Sequence, residues 1–202
     1  MKKELDYFWI EDSYGGNQDW FATPMMRLGG CAAETACDSC IYLAKEFGKL
    51  DLCPYPIENI NKKEYVEFSK KMEPYLKPRM TGINKLDIYI EGFLKYLRDC
   101  GEQKIEIDTV SGSSPIVQAK KAVVHQIDNN IPLPCLTLKH KNLRFKDYVW
   151  HWFLLTGYEI FEDKTMVKAV TYSEWEWLPL EELWDTGYRE KGGLILYNVR
   201  ND

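Results

Sequence analysis

Two distant segments carry the residue types best suited to chemistry. Gly29 and Gly30 deliver Cys31 to the start of an alanine-rich stretch that is typical of a helix. A cysteine at a helix N-terminus is favoured as a thiolate, because the helix dipole and the free N–H groups stabilise the anion. Much later, His151 lies in an apolar run that is typical of a strand. If the fold brings the two together they form a nucleophile–base pair, so the sequence predicts an enzyme with a cysteine nucleophile.

The residues beside each candidate indicate how the site would be built. Gly29 and Gly30 permit a tight turn and leave room for a substrate backbone beside the sulfur, and the backbone N–H of Cys31 would point toward a developing oxyanion. Strand parity places His151 on the face opposite Trp152. A histidine among apolar neighbours is either a satisfied core residue or a desolvated base, and Trp152 is either core or a wall of a substrate cleft.

The elements that must position these residues follow from periodicity and turn chemistry. We expect helices over about 31–47, 61–75, 84–100 and 114–127, and strands over about 104–110, 131–139, 149–160, 166–178 and 194–199. The first 30 residues read as an irregular arm. Pro132 and Pro134 suggest that their strand lies at an edge or that they mark its start. Helices first and sheet last predict an α+β fold.

Composition narrows the class of protein. A chain of 202 residues fits one domain or two small ones, and its net charge of -5 does not suggest a nucleic-acid partner. No apolar run approaches the ~20 residues of a membrane span. The acidic N-terminal residues do not resemble a signal peptide, so we expect a cytoplasmic protein without a membrane partner, whose cysteines are not paired in disulfides.

The two segments together resemble a known family. Gly-Gly-Cys-Ala-Ala at 29–33, followed late by His-Trp-Phe-Leu-Leu-Thr-Gly-Tyr at 151–158, resembles the papain-like cysteine peptidases, in particular the bacterial branch similar to bacteriocin-processing peptidases. Residues 129–138 resemble the segment that precedes the family's histidine strand. The resemblance implies a single papain-like domain, with a helical half packed on an antiparallel sheet. It also implies hydrolysis of a peptide or small amide without a cofactor. Residues 48–112 match nothing in the family and would be a helical insertion.

The resemblance assigns further roles. The family has a glutamine upstream of the cysteine as an oxyanion donor, and Gln18 is the match, although twelve residues separate it from Cys31. Asn17 could take the same role, because a side-chain amide is the chemical requirement. The family's third residue is an Asn or Asp on the strand after the histidine. That strand has neither here, and Thr171 is the natural register match, with Ser173 and Glu174 as competitors. A hydroxyl can accept the histidine N–H but cannot stabilise an imidazolium as a carboxylate does.

Three alternatives remain beside the peptidase. The weak third residue favours an inactive papain-like module that binds a peptide or a protein partner. An amidase or acyl transferase would use the same constellation. The spacing of Cys31, Cys37 and Cys40 could belong to a thiolate metal cluster. However, the last two fall inside a helical pattern and no further pair completes four ligands, so we expect no metal.

Overall fold

Helices pack against a seven-stranded antiparallel sheet, and two further short strands pair with each other, in a computed structural model that describes residues 1–79 and 82–200. This confirms the α+β class. In chain order the helices and strands are β1 Lys2–Glu4, β2 Trp9–Ile10, β3 Ser13–Tyr14, α1 Pro24–Gly29, α2 Cys31–Phe47, α3 Lys62–Met72, α4 Leu86–Asp99, β4 Ile105–Ser111, α5 Ile116–Asp128, β5 Leu133–Thr137, β6 His151–Phe161, β7 Lys164–Thr171, β8 Glu174–Pro179, α6 Leu180–Trp184 and β9 Gly193–Val199. Among the described residues, none of the helices has the length and apolar character needed to cross a membrane.

The predicted helix at 31–47 is confirmed as α2. It starts after Gly30 and ends at Gly48, whose φ of 65° is the left-handed conformation that commonly closes a helix. Every residue from 31 to 44 is buried, so α2 is surrounded on all sides. Its small alanines allow close packing, and α2 contacts the central strand β6.

Strand β6 organises the sheet. The strand order is β4-β9-β5-β6-β7-β8, and β1 pairs with the second half of β6. Within β6, His151 lies opposite Thr137 of β5, and the pairing with β7 contains a bulge between Leu155 and Gly157. The first residue of β6 is therefore at one end of the sheet, where α2 begins.

The predicted strand over 166–178 is wrong as a single element. It is a hairpin in which β7 and β8 are joined by Tyr172 and Ser173, with φ values of 52° and 65°. Two-residue hairpin turns require positive φ and usually use Asn or Gly. Tyr172 and Ser173 carry no such signal, so the sequence pattern of polar and apolar residues does not reveal the turn. The hairpin makes Thr171 the last residue of β7 and places Tyr172 in the turn.

The N-terminal segment is more regular than predicted. Strand β1 joins the main sheet, with Lys3 opposite Tyr158, and α1 forms just before the cysteine helix. Thr23 caps α1 by accepting the Met26 N–H at 3.2 Å, and Pro24 follows at the first helical position. The stretch between Gln18 and Cys31 is thus occupied by a short helix.

The prolines of β5 mark a strand start and not an edge. Strand β5 lies between β9 and β6, so the edge alternative is wrong. Pro134 is the second residue of the strand, and β9 pairs only with the next two residues, Cys135 and Leu136. The missing N–H of proline therefore falls before the ladder to β9 begins.

The region 48–112, predicted as a helical insertion, contains α3 and α4 but ends in β4, which pairs with β9 in the main sheet. Asn61 caps α3 in a reciprocal pair with Glu64, which confirms the predicted helix start. Tyr89 of α4 stacks on Trp152 with ring centroids 4.6 Å apart. The indole N–H of Trp152 also donates to the carbonyl of Ile83 at 2.6 Å. These contacts place Ile83 and α4 beside the start of β6.

Candidate active site

A cleft of about 680 Å³ opens where the start of α2 meets the start of β6. Its size is typical of small-molecule and peptide sites. Three of the four residues predicted to be catalytic, Cys31, His151 and Gln18, line this one cleft although they are far apart in sequence. The rest of the lining consists of Met25, Leu28, Gly29, Arg79, Gly82, Ile83, Leu136, Leu138, Asp147, Val149, Trp150 and Tyr172.

The Cys31 thiol is protonated in the resting protein. Cys31 is the first residue of α2 and is only 7% exposed. Burial raises the pKa of its thiol to about 11, although hydrogen bonds from the main chain of Trp152 and from the first helical turn act in the opposite direction. The predicted thiolate is therefore wrong, because desolvation outweighs the helix terminus.

The His151 imidazole is neutral and held on two sides. It is 4% exposed, and burial lowers its pKa to about 4. Its Nε2 lies 2.7 Å from the hydroxyl oxygen of Thr171, and its ring stacks on Tyr172 at 4.8 Å with an interplanar angle of 3°. In the tautomer with its proton on Nε2, the Nε2–H donates a hydrogen bond to the Thr171 hydroxyl. Nδ1 then keeps a lone pair that can accept a proton from a thiol.

Thr171 is the residue that contacts the histidine. The two competitors lie elsewhere: the Ser173 hydroxyl donates to the Gly16 carbonyl at 3.4 Å, and Glu174 is exposed in β8. Because the contact is made by a hydroxyl, the ring is oriented without a negative charge beside it. This neutral partner agrees with the low pKa of His151.

Gln18 reaches the cleft despite its distance along the chain. It is buried, and its Nε2 donates to the Arg27 carbonyl at 2.7 Å. That amide nitrogen carries a second hydrogen that can serve an oxyanion. The side-chain oxygen of Gln18 is buried without a hydrogen-bond partner among the described residues. The helix α1 fills the sequence between Gln18 and Cys31 and so returns the chain to the site.

The two glycines differ in role. Gly29 lines the cleft, and a Cβ there would lie 3.2 Å from the Cβ of Pro78. Gly30 does not line the cleft, and a Cβ there would lie 2.3 Å from the carbonyl oxygen of Met26. Gly30 is therefore required for the close junction of α1 and α2, and not for the substrate contact that the sequence suggested.

Asn17 and Trp152 also lie outside the cleft lining. The Asn17 side chain accepts the Asp19 N–H at 2.8 Å and caps the short 3₁₀ turn at Gln18–Trp20, so its amide is a structural cap. Trp152 is fully buried behind the cleft against Tyr89. The tryptophan in the cleft wall is Trp150, which precedes β6 and is half-exposed.

Glu34 is a supporting residue that sequence reasoning missed. This buried carboxylate of α2 accepts the Gln18 N–H at 3.1 Å on one oxygen and the Tyr172 N–H at 3.3 Å on the other. Burial, followed by the charge of Asp38, raises its pKa. One side chain therefore ties the loop of Gln18 and the turn of Tyr172 to the cysteine helix. Its signal in the sequence was an acidic residue within an apolar, alanine-rich helix.

Asp38 supports the same loop one turn further along α2. It accepts the Gly16 N–H at 3.0 Å and the hydroxyls of Tyr7 and Tyr65 at 2.8 and 2.7 Å. Burial raises its pKa to about 6, and these hydrogen bonds oppose that rise. The residues before Gln18 are thus fixed by a satisfied buried polar network.

The cysteines do not form a metal-ligand group. Within residues 1–79 and 82–200, no three His, Cys, Asp or Glu side chains converge as metal ligands would. Cys37 and Cys40 lie fully buried inside α2. All six cysteines are free thiols.

No family model matches this sequence, and no curated protein is significantly similar to it. The function must therefore be argued from the geometry and chemistry of the site itself.

Proposed function

We propose that the protein is a papain-like cysteine hydrolase that cleaves a peptide or small amide bond. The observation that carries the proposal is the convergence of Cys31 and His151 on the lining of one cleft. The α+β architecture supports it, since the nucleophile begins a buried helix and the base begins an antiparallel strand. Gln18 adds an amide donor to the same cleft.

The mechanism starts from a neutral pair. His151 removes the thiol proton as the Cys31 sulfur attacks the carbonyl carbon, and the carbonyl oxygen becomes an oxyanion. The Cys31 N–H and the Gln18 amide stabilise that oxyanion. The C–N bond then breaks as His151 gives its proton to the leaving amine. Water, deprotonated by His151, hydrolyses the remaining thioester and restores the thiol.

Thr171 sets the expected rate. It orients the imidazole, but it supplies no charge to stabilise the imidazolium that forms when the thiol loses its proton. The transition state must therefore carry the cost of creating an ion pair in a buried site. We expect a slow hydrolase whose rate responds strongly to any charge placed beside His151.

Thiol reactivity tests the proposal. The protein is treated with iodoacetamide across pH 5–10, and the modified cysteines are quantified by mass spectrometry. Cys100 is the internal control, because it is more exposed than Cys31. We expect Cys31 to react faster than Cys100 at neutral pH, and His151→Gln to abolish the difference. A Cys31 that reacts no faster than Cys100 would contradict the proposal.

Turnover is tested separately. A peptide library is digested by the native protein and by Cys31→Ser, and the new termini are identified by mass spectrometry. We expect cleavage by the native protein alone. Products that carry a transferred acyl group instead of a new carboxylate would identify a transferase, which uses the same residues.

A second candidate is a peptide-binding module without turnover. The raised pKa of Cys31, the lowered pKa of His151 and the uncharged Thr171 favour it, since none of them activates the thiol in the resting protein. This candidate predicts that native protein and Cys31→Ser retain the same peptides without cleaving them.

A further inference from the structure

One wall of the cleft is contributed by the segment between α3 and α4. Arg79, Gly82 and Ile83 of this segment line the same cleft as Cys31. The Ile83 carbonyl accepts the Trp152 indole N–H, and Pro78 lies close enough to Gly29 that a Cβ there would come within 3.2 Å of the Pro78 Cβ. The region that has no counterpart in the resembled family therefore helps to define what the cleft can bind.

The charges of the cleft lie at its two ends. Apart from Cys31, His151 and Tyr172, the ionisable lining residues are Arg79 and Asp147. Arg79 also borders a depression formed by α4 and the residues that follow α3, whereas Asp147 also borders a groove formed by β7 and β8. In the part of the chain that the structure describes, no acidic side chain forms an ion pair with Arg79. One end of the cleft thus offers a guanidinium that is free to bind an anion.

The surface between the charged ends is apolar and open. Leu28 is 83% exposed, and Met25 and Trp150 are half-exposed, although all three are large apolar side chains in one cleft. Leu136, in β5, and Leu138, just after β5, also line the cleft. Covering such a surface with an apolar group is favourable by about 25 cal/mol per Å². An exposed apolar lining next to a cation is therefore suited to a ligand with both properties.

We infer that the substrate of this cleft carries a bulky apolar side chain and, close to it, a carboxylate that pairs with Arg79. This inference rests on the proposed function in placing the reacting amide at Cys31. A guanidinium binds a carboxylate through two parallel hydrogen bonds. Because Arg79 is exposed, solvent screens the pair, and its contribution to binding should be modest. Arg79 is then a specificity-determining residue that does not take part in bond breaking.

Charge reversal tests the pairing. The probes are alanine-based peptides that contain one leucine. In separate peptides, a single Glu, Gln or Lys is placed at each position near that leucine, and the binding of each peptide to Cys31→Ala is measured by calorimetry. At one position we expect the Glu peptide to bind about fivefold more tightly than the Gln peptide. Arg79→Glu in the same background should reverse the order and favour the Lys peptide. If no position favours Glu, or if the preference survives Arg79→Glu, the inference is overturned.

Lys77→Glu is the matched control. Lys77 is exposed and lies two residues from Arg79, but it does not line the cleft. The substitution Lys77→Glu changes the net charge by the same amount as Arg79→Glu. We expect it to leave the order of the three peptides unchanged. An equal reversal in Lys77→Glu would show a general effect of surface charge and would count against the role of Arg79.

The apolar half has a control of equal exposure. Leu28 lines the cleft and is 83% exposed, whereas Leu143 does not line it and is 82% exposed. Leu28→Ala should weaken binding of the leucine peptide about threefold and leave the all-alanine peptide unaffected. Leu143→Ala should change neither. Equal effects of the two variants would overturn this half of the inference.

The binding assays need no turnover, so the two proposals fail separately. A charge switch in Cys31→Ala, with no cleavage by the native protein, would keep the assigned ligand class and reject the hydrolase. Cleavage by the native protein without preference for an acidic peptide would keep the hydrolase and reject the role of Arg79.

Discussion

Replacing Thr171 by aspartate should raise the pKa of His151 and speed the attack of Cys31. The Thr171 hydroxyl lies 2.7 Å from Nε2, and Asp is close to Thr in size, so a carboxylate oxygen can take the same place. An opposite charge at such a distance raises the pKa of an imidazole by about one to three pH units. From the present value of about 4, the pKa of His151 should reach about 5–7.

The change in protonation is large at neutral pH. An imidazole with a pKa of about 4 is only about 0.1% protonated at pH 7. With a pKa of about 6 it is about 10% protonated, which corresponds to roughly 2.7 kcal/mol of added stabilisation of the imidazolium. Since the proposed transition state contains that imidazolium, alkylation of Cys31 at pH 7 should accelerate at least tenfold.

The assay is an NMR titration of the histidine ring nitrogens, with His151→Gln identifying the signal. Ser173→Asp is the matched variant, because it adds the same charge on the neighbouring turn without the contact to Nε2. If Thr171→Asp moves the pKa of His151 no more than Ser173→Asp does, the hydrogen bond does not control the imidazole and our account of the site is refuted.

Three further results are expected. Burial lowers the pKa of His151 from 6.5 to about 4, so the neutral ring contributes about 3 kcal/mol to the free energy of unfolding above pH 6.5. This contribution is lost as the pH falls toward 4, and the unfolding of His151→Gln in urea should not show that loss. Glu34→Gln leaves one side-chain oxygen for the two main-chain N–H groups of Gln18 and Tyr172. The free energy of unfolding should therefore drop by about 1–3 kcal/mol, and alkylation of Cys31 should slow. If neither value changes, Glu34 does not hold these two segments on α2. Gly30→Ala should lower the free energy of unfolding, measured by chemical denaturation, by more than about 2 kcal/mol, since its Cβ would lie 2.3 Å from a carbonyl oxygen. Gly48→Ala, which has open space around it, should lower it by about 1 kcal/mol. Equal losses would contradict the tight junction of α1 and α2.

The parts of the site that sequence predicted are those set by local chemistry. Helix punctuation by Gly30 and Gly48 delimits α2 and so locates Cys31 at its start. Strand register across the β6–β7 hairpin made Thr171 the partner of His151, and the structure places its hydroxyl there. The first inference needs only the signals of a helix, whereas the second also depended on the resemblance to the papain-like peptidases, which implied a partner for His151 on the next strand.

The parts that sequence did not predict depend on burial and on the fold as a whole. The protonation of Cys31 could not be foreseen from a helix terminus, because the desolvation that raises its pKa comes from elements distant in sequence. The hairpin at Tyr172 uses residues that carry no turn signal. The role of Glu34 appears only when the loop before α1 and the β7–β8 turn are seen to meet on α2.

Glu34 has a consequence for how the cleft can adapt to a ligand. Because a single carboxylate binds main-chain N–H groups at both Gln18 and Tyr172, the edges nearest the sulfur move as one piece. Arg79 belongs to a different part of the molecule, where the Ile83 carbonyl accepts the Trp152 indole N–H. We expect the groups beside the sulfur to keep their spacing when a ligand contacts Arg79. Selection of the ligand and alignment of the chemistry would then reside in mechanically separate portions of the molecule.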